Sequence, residues 1–117
     1  MLEGTKKEFQ EERERLNQIV LRHAGLNIKR FYNLDSQVYR KGALPARTKE
    51  LLGLVASLVL RCDDCVKYHL VRCEEEKVTS EELEEALAVG LVVGGSITIP
   101  HLRRAFESWD QLTGQQP

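Results

Sequence analysis

The sequence predicts an all-α fold of about six helices. Apolar stripes, long apolar runs and helix start signals mark six segments, and no segment alternates between apolar and polar residues over a convincing length. Glycines, prolines and a capping pattern divide these segments, so the predicted connections are short. The best strand candidates, Val92 with Val93 and residues 97–99, are crowded by glycines. We therefore predict one domain that spans residues 1–117.

The first two helices are predicted at residues 5–22 and 28–41, and Gly25 separates them. The first helix has a sparse apolar stripe, and its beginning is charged on nearly every side. We therefore expect residues 1–15 to be a peripheral part of the domain. The second helix has an amphipathic stripe and ends at Gly42.

Three of the remaining four helices are predicted from their start signals, and the other is expected to begin near Cys62. Pro45 and Pro100 suit the first position of a helix, and Thr79 with Glu82 forms the capping-box pattern T-x-x-E. We expect residues 113–117 to be a disordered, peripheral tail. The predicted bounds of these helices are 45–61, 62–77, 79–94 and 100–112.

The overall charge is nearly balanced. Seventeen basic and eighteen acidic residues give a net charge of -1, which does not favour nucleic acid or an anionic membrane as a partner. The amino-terminal residues lack the apolar core of a secretory signal, and the longest apolar runs are shorter than the roughly 20 residues that span a bilayer. We therefore expect a cytoplasmic protein with no nucleic-acid or membrane partner.

The third and fifth helices carry more apolar surface than a helix on the outside of a monomer needs. Such a helix needs a single apolar stripe, whereas residues 51–60 and 86–93 are apolar on almost every side. A subunit interface is the natural place for this excess, so we expect a homo-oligomer, either a hexamer or a trimer. The alternative is that one of the two helices is simply the central helix of the domain.

The segment of residues 50–73 contains all three cysteines and one of the three histidines. Cys62 and Cys65 form a Cys-x-x-Cys pair, and His69 follows four residues later. Two thiols at this spacing can close a disulfide, and a histidine one helical turn after a thiol favours its thiolate form. This combination predicts thiol redox chemistry.

An antiparallel hairpin of the third and fourth helices would bring Glu50 level with His69. Glu50 lies about 11 residues before a turn near Arg61 and His69 about 8 residues after it, so their axial offset is only about 4 to 5 Å. In the relay that results, Glu50 orients the imidazole and His69 accepts the proton of Cys65. Cys65 then attacks, and Cys62 resolves the product as a disulfide.

Other interpretations of these residues remain. Cys73 is predicted to be a core residue, and the alternative is a third reactive thiol. A metal site could use Cys62, Cys65 and His69 with either Cys73 or Glu50. All of these except Glu50 lie on one helix, whereas a tetrahedral site usually draws on two elements. We therefore expect no metal and no other cofactor.

The charged residues near the motif have simpler predicted roles. His23 is expected to be a cation at a helix end, and His101 a surface histidine that could alternatively bind an anion at a helix start. Asp63 and Asp64, which lie between the two cysteines, would oppose a thiolate by like charge.

The pattern E-x11-C-x-x-C-x-x-x-H in an all-helical chain resembles the carboxymuconolactone decarboxylase / AhpD-like alkylhydroperoxidase family. The resemblance covers residues 44–105, with the stretch LPARTKELLGLVASLVLRCDDCVKYH and the later GG…P segment. It implies an all-helical fold, trimers or hexamers, and peroxide reduction through the cysteine pair. By motif position it carries over four residues: Glu50, Cys62, Cys65 and His69.

The chain departs from the family pattern at Asp64, where the best-known peroxidase members have a histidine. The true lactone decarboxylases generally lack the cysteine pair, so decarboxylation is not expected. Two classes of function follow. The first is a thiol-dependent peroxidase that takes a peroxide or another small molecule as substrate and a dithiol or a disulfide reductase as electron donor. The second is a non-catalytic oligomeric protein of the same fold that senses redox state or metals.

Overall fold

The computed structural model describes residues 2–114, and the side chains of residues 6–114. No strand occurs in this part of the chain, so the prediction of an all-α fold with six helices is confirmed. A short 3₁₀ turn, Ser96–Thr98, precedes the last helix. The helices are α1 (Leu2–His23), α2 (Leu26–Val38), α3 (Ala46–Val59), α4 (Asp63–Glu75), α5 (Ser80–Gly94) and α6 (Ile99–Thr113).

Several predicted helix bounds differ from the observed ones by one residue at a cap, while α1 and α2 begin three and two residues earlier than predicted. Pro45, Cys62 and Thr79 have extended backbones and are N-caps, so the helices begin one residue later. The predicted end of α2 was too late, because Lys49 Nζ donates to the carbonyl oxygens of residues 38 and 40 and the chain turns there. Thr113 is the last residue of α6 and not part of a tail, and residues 115–117 lie outside the described residues.

α3 is the central helix of the fold. It packs against α4 on one side and α5 on the other, while α6 covers α4 and α1 contacts α6. Cys73 is fully buried in the core, as predicted, and burial raises the pKa of its thiol to about 12. The core includes Leu54, Leu58, Leu70, Leu83, Leu87, Ala105 and Trp109.

The connection between α3 and α4 is a tight reversal of the chain. Arg61 has a φ of 59°, in the left-handed region, which ends the helix without a glycine. The N–H of Cys62 donates to the carbonyl oxygen of Ser57 at 3.1 Å, and the N–H of Arg61 donates to that of Leu58 at 2.9 Å. These bonds satisfy the last carbonyls of α3 and direct α4 back along it.

The charged beginning of α1 lies against α4. Lys6 pairs with Glu74 at 3.0 Å, and the guanidinium of Arg13 lies 3.8 Å from the ring centroid of Tyr68. The side chains that were expected to be peripheral therefore contact the helix that carries the cysteine motif. None of the helices in residues 2–114 is both long and apolar enough to cross a membrane.

Two apolar surfaces among residues 6–114 are exposed to solvent. No residue between Leu26 and Val38 is buried, and the apolar stripe of α2 is 47% to 66% exposed. We call this surface the α2 stripe; it comprises Leu26, Ile28, Phe31, Leu34 and Val38. The second is an open groove of about 670 Å³ between α3 and α5, the α3–α5 groove. Its lining residues include Leu51, Leu52, Val55, Val59, Leu60, Val89 and Val93.

The capping box at the start of α5 gives a test of the fold. Thr79 Oγ1 accepts from the N–H of Glu82 at 3.1 Å, and Glu82 Oε1 accepts from the N–H of Thr79 at 2.8 Å. We expect Thr79→Ala to lower the free energy of unfolding by about 1 kcal/mol, because the N–H of Glu82 in the first turn loses its side-chain acceptor. Chemical denaturation at a fixed chain concentration measures the change. Thr79→Ser keeps the acceptor and is the control; equal losses in both variants would contradict the role of the cap.

Candidate active site

Cys62 and Cys65 form a disulfide at the start of α4, with their Cα atoms 5.3 Å apart. Cys62 is the N-cap residue, and its Sγ accepts a hydrogen bond from the N–H of Cys65 at 3.2 Å. The amino end of a helix favours negative charge, so this position stabilises a thiolate on Cys62. Cys65 is the more exposed of the two residues.

Glu50 and His69 meet directly inside the α3–α4 hairpin. His69 Nδ1 lies 2.9 Å from Glu50 Oε1, and the two residues are only 7% and 1% exposed. The predicted antiparallel register therefore holds. Arg72 Nε lies 3.4 Å from the second carboxylate oxygen, Glu50 Oε2. A buried carboxylate is costly unless it is paired, and here two side chains of α4 share that role.

The hydrogen bond to Glu50 decides which nitrogen of His69 is available. A carboxylate only accepts, so Nδ1 carries the proton that it receives. Nε2 is then the nitrogen that can take a proton from a thiol. His69 follows Cys65 by one turn of α4, so the imidazole and the cysteine pair lie on one side of the same helix.

Tyr39, the residue that caps the end of α2, was not predicted to belong to the site. Its Oη lies 3.4 Å from His69 Nε2, and the two ring centroids are 5.2 Å apart. Burial, followed by the negative charges of Asp35 and Glu50, raises the pKa of Tyr39. No spacing signal could have identified Tyr39, because it comes from another helix across a loop.

Gly53 gives the two rings the space they occupy. A Cβ atom at this position would lie 2.6 Å from Cε1 and 2.7 Å from Nε2 of His69, and 2.9 Å from the Tyr39 hydroxyl. Any larger residue would therefore displace the imidazole or the phenol. A glycine inside an otherwise apolar helix often marks a close contact, so Gly53 could have indicated this packing from the sequence.

An open cavity of about 360 Å³ lies beside Tyr39 and Glu50. Its walls are polar and charged and come from α2, the start of α3, and α4. The cavity is lined by Asp35, Ser36, Tyr39, Arg40, Ala46, Glu50, Tyr68 and Arg72.

The charge of Asp63 is paired, contrary to the expectation that both aspartates would simply oppose a thiolate. Asp63 Oδ1 lies 2.7 Å from His101 Nδ1, and Asp63 Oδ2 accepts from Arg104 Nε at 2.9 Å. The hydrogen bond from His101, with the charge of Arg104, lowers the pKa of Asp63. His101 is thus a partly exposed residue at the surface, as predicted, and it is also a hydrogen-bond partner of Asp63. Asp64 is exposed.

A metal site is not assembled by the residues considered for it. Within residues 2–114, no group of three or more His, Cys, Asp or Glu side chains is arranged to hold a metal ion. Cys62 and Cys65 are bonded to each other, and Cys73 lies in the apolar core.

The family model described as "Carboxymuconolactone decarboxylase family" matches residues 28–108. Among curated proteins, an uncharacterised protein of Cupriavidus necator is 34% identical over 82 residues, which cover 70% of this chain and 73% of that protein. An uncharacterised protein of the cox locus of Paracoccus denitrificans is 29% identical over 84 residues, which cover 72% and 76%.

Solved structures show the same similarity. Two crystal structures of a Thermotoga maritima protein are 60% identical in sequence to this chain, with TM-scores of 0.90 and 0.88. Each alignment covers 92% of this chain, and the two alignments cover 95% and 91% of the Thermotoga maritima chains. That protein is described as a carboxymuconolactone decarboxylase family member for which an antioxidative role has been suggested. A Legionella pneumophila family protein shares the fold, with a TM-score of 0.70 at 21% identity, covering 95% of this chain and 92% of that one. This chain belongs to the carboxymuconolactone decarboxylase family.

Proposed function

We propose that this protein is a thiol-dependent peroxidase that cycles Cys62 and Cys65 between dithiol and disulfide. The observation that supports the proposal most strongly is the buried Glu50–His69 pair, one helical turn from a cysteine pair that is joined as a disulfide. The antioxidative role suggested for the Thermotoga maritima relative is in keeping with it.

The oxidative half of the cycle uses Cys65 as the nucleophile. His69 Nε2 takes the proton of the Cys65 thiol, while Glu50 stabilises the imidazolium through Nδ1. The thiolate attacks a peroxide oxygen, so that an S–O bond forms and the O–O bond breaks. The leaving oxygen takes the proton from His69 and departs as an alcohol or water. Cys62 then attacks the sulfenic acid of Cys65, which gives the disulfide and water.

The reductive half needs a dithiol donor or a disulfide reductase. A donor thiolate reaches Cys65 more easily than Cys62, because Cys65 is the more exposed residue. Attack there expels Cys62 as a thiolate, which the N–H of Cys65 and the amino end of α4 stabilise. The second thiol of the donor then breaks the mixed disulfide and releases Cys65.

We also propose that the protein is a homo-oligomer, a hexamer or a trimer, whose contacts cover the α2 stripe and the α3–α5 groove. α3 is the central helix and buries Leu54 and Leu58, so its excess apolar surface is partly explained within one chain. Leu52 is nevertheless 56% exposed, and Val92 and Val93 at the end of α5 are 83% and 70% exposed. Apolar patches of this kind mark interaction surfaces.

Peroxide turnover tests the cycle. With an organic hydroperoxide and dihydrolipoamide, we expect catalytic peroxide consumption that Cys65→Ser abolishes, since the attacking sulfur is gone. Cys62→Ser should give a single turnover followed by over-oxidation of Cys65, because no thiol resolves the sulfenic acid. Cys73→Ala, which removes a buried thiol outside the pair, is the control. Mass spectrometry should find a 62–65 link in the oxidised parent. Formation of this link without repeated turnover would instead support a non-catalytic redox sensor.

Removal of the Glu50 charge tests the relay. We expect Glu50→Gln to slow both Cys65 alkylation and the peroxide reaction at least about tenfold at neutral pH, because the amide keeps the shape but cannot stabilise the imidazolium. Rates are measured against pH, beside a melting curve. Glu75→Gln removes another carboxylate partner of Arg72, on the outside of α4, and should change these rates little. If Glu50→Gln reacts like the parent at every pH, or fails only by unfolding, Glu50 is structural.

Light scattering tests the assembly. We expect a mass that is a multiple of the 13.4 kDa chain, and dissociation when Val89→Glu and Val93→Glu place two charges in the α3–α5 groove. Glu85→Gln, an exposed change on the same helix, should leave the mass unchanged. A parent protein that stays at the mass of one chain at micromolar concentration would rule out the proposed oligomer.

A further inference from the structure

The hydroxyl of Tyr39 contacts Nε2 of His69, the ring nitrogen that accepts the thiol proton in the proposed relay. Glu50 engages Nδ1 at 2.9 Å, and the Tyr39 hydroxyl lies 3.4 Å from Nε2. The two nitrogens of the imidazole are therefore both occupied by side chains from other helices. A thiol proton that arrives at Nε2 must enter a position already contacted by a phenol.

We propose that Tyr39 is a positioning residue that keeps Nε2 of His69 hydrogen-bonded before and after it takes the thiol proton. The inference rests on the proposed function and extends it to a residue at the end of α2. When the imidazole is neutral, the Tyr39 hydroxyl donates its hydrogen to Nε2. When the imidazolium has formed, the hydroxyl turns and its oxygen accepts the new N–H. The proton moves from Cys65 Sγ to His69 Nε2, and Tyr39 neither gains nor loses one.

The two hydrogen bonds differ in strength, which gives Tyr39 an effect with a definite direction. A hydrogen bond from the charged imidazolium is roughly twice as strong as one to the neutral ring. Tyr39 therefore stabilises the protonated His69 more than the neutral one, and so favours the pair of Cys65 thiolate and imidazolium. Tyr39→Phe would keep the ring contact with His69 but lose this preference.

The surroundings of Tyr39 keep its hydroxyl protonated and allow it to rotate. Burial and the nearby negative charges raise its pKa, so it does not ionise at neutral pH. Tyr39 lines the cavity of about 360 Å³, and the missing side chain of Gly53 leaves room beside its hydroxyl. The charged and titratable groups around the Tyr39–His69 pair are Asp35 of α2, Arg40 just after α2, Glu50 of α3, and Tyr68 and Arg72 of α4, with Arg13 of α1 over the Tyr68 ring.

Alkylation of Cys65 in the reduced protein is the test, because it needs neither peroxide nor an electron donor. We expect Tyr39→Phe to lower the rate at pH 7 by about three- to tenfold and to move the rise of the rate to higher pH. Tyr32→Phe is the matched control. It also removes a half-buried phenol hydroxyl from α2, but one that bonds to Asn17 at 3.3 Å, so the rate should stay the same. A melting curve of each variant shows whether the fold is intact.

A second pair of variants separates positioning from a structural role. In a His69→Gln background, Tyr39→Phe should change the alkylation rate by less than about twofold, since the base through which Tyr39 acts is absent. An equal effect with and without His69, or a Tyr39→Phe profile identical to that of the parent, would overturn the inference. If Tyr39→Phe shifts alkylation as expected but the parent does not turn over peroxide, the inference stands and the peroxidase function fails.

Discussion

The Glu50–His69 contact is the constraint on which the site depends. Glu50 is 1% exposed, and its carboxylate is paired with the Nδ1–H of His69 and with Arg72, because a buried charge without partners is costly. α3 and α4 can therefore slide past one another very little without leaving that charge uncompensated. The same contact assigns the proton on His69 to Nδ1 and leaves Nε2 as the base. One interaction thus fixes both the register of the central hairpin and the chemistry of its histidine.

The face of α3 that meets α4 is built around this contact. Gly53 follows Glu50 by about one turn and allows the imidazole to lie against the helix backbone. Ser57 lies one turn later, and its hydroxyl donates a hydrogen bond to the carbonyl oxygen of Gly53 at 2.7 Å, so the buried hydroxyl has a partner. Glycine in a helix interior costs about 1 kcal/mol relative to alanine. The fold accepts this loss of helix stability because a methyl group would occupy the place of the histidine ring.

Local signals and the helical rise predicted most of the fold and the contact between Glu50 and His69. The capping box of α5 and the proline before α3 located helix starts, and the rise per residue was enough to place Glu50 beside His69. Capping signals and the helical rise could not place Tyr39 in the site. α2 buries none of its residues between Leu26 and Val38, and Lys49 fixes its end, so the position of Tyr39 depends on tertiary contacts rather than on periodicity. The pairing of Asp63 with His101 likewise joins segments 38 residues apart.

In the proposed cycle, the two sulfurs differ because different parts of the hairpin act on them. Cys62 lies at the N-cap, where a backbone N–H points at its sulfur and the amino end of α4 favours negative charge. Cys65 lies one turn before His69 and depends on a side-chain base. An unpaired negative charge on Asp63 would disfavour a thiolate on either cysteine. His101 and Arg104 on α6 bind this carboxylate and so reduce its effect on the two sulfurs. α6 therefore contributes to the electrostatics of the pair, although the chemistry itself is carried by α3 and α4.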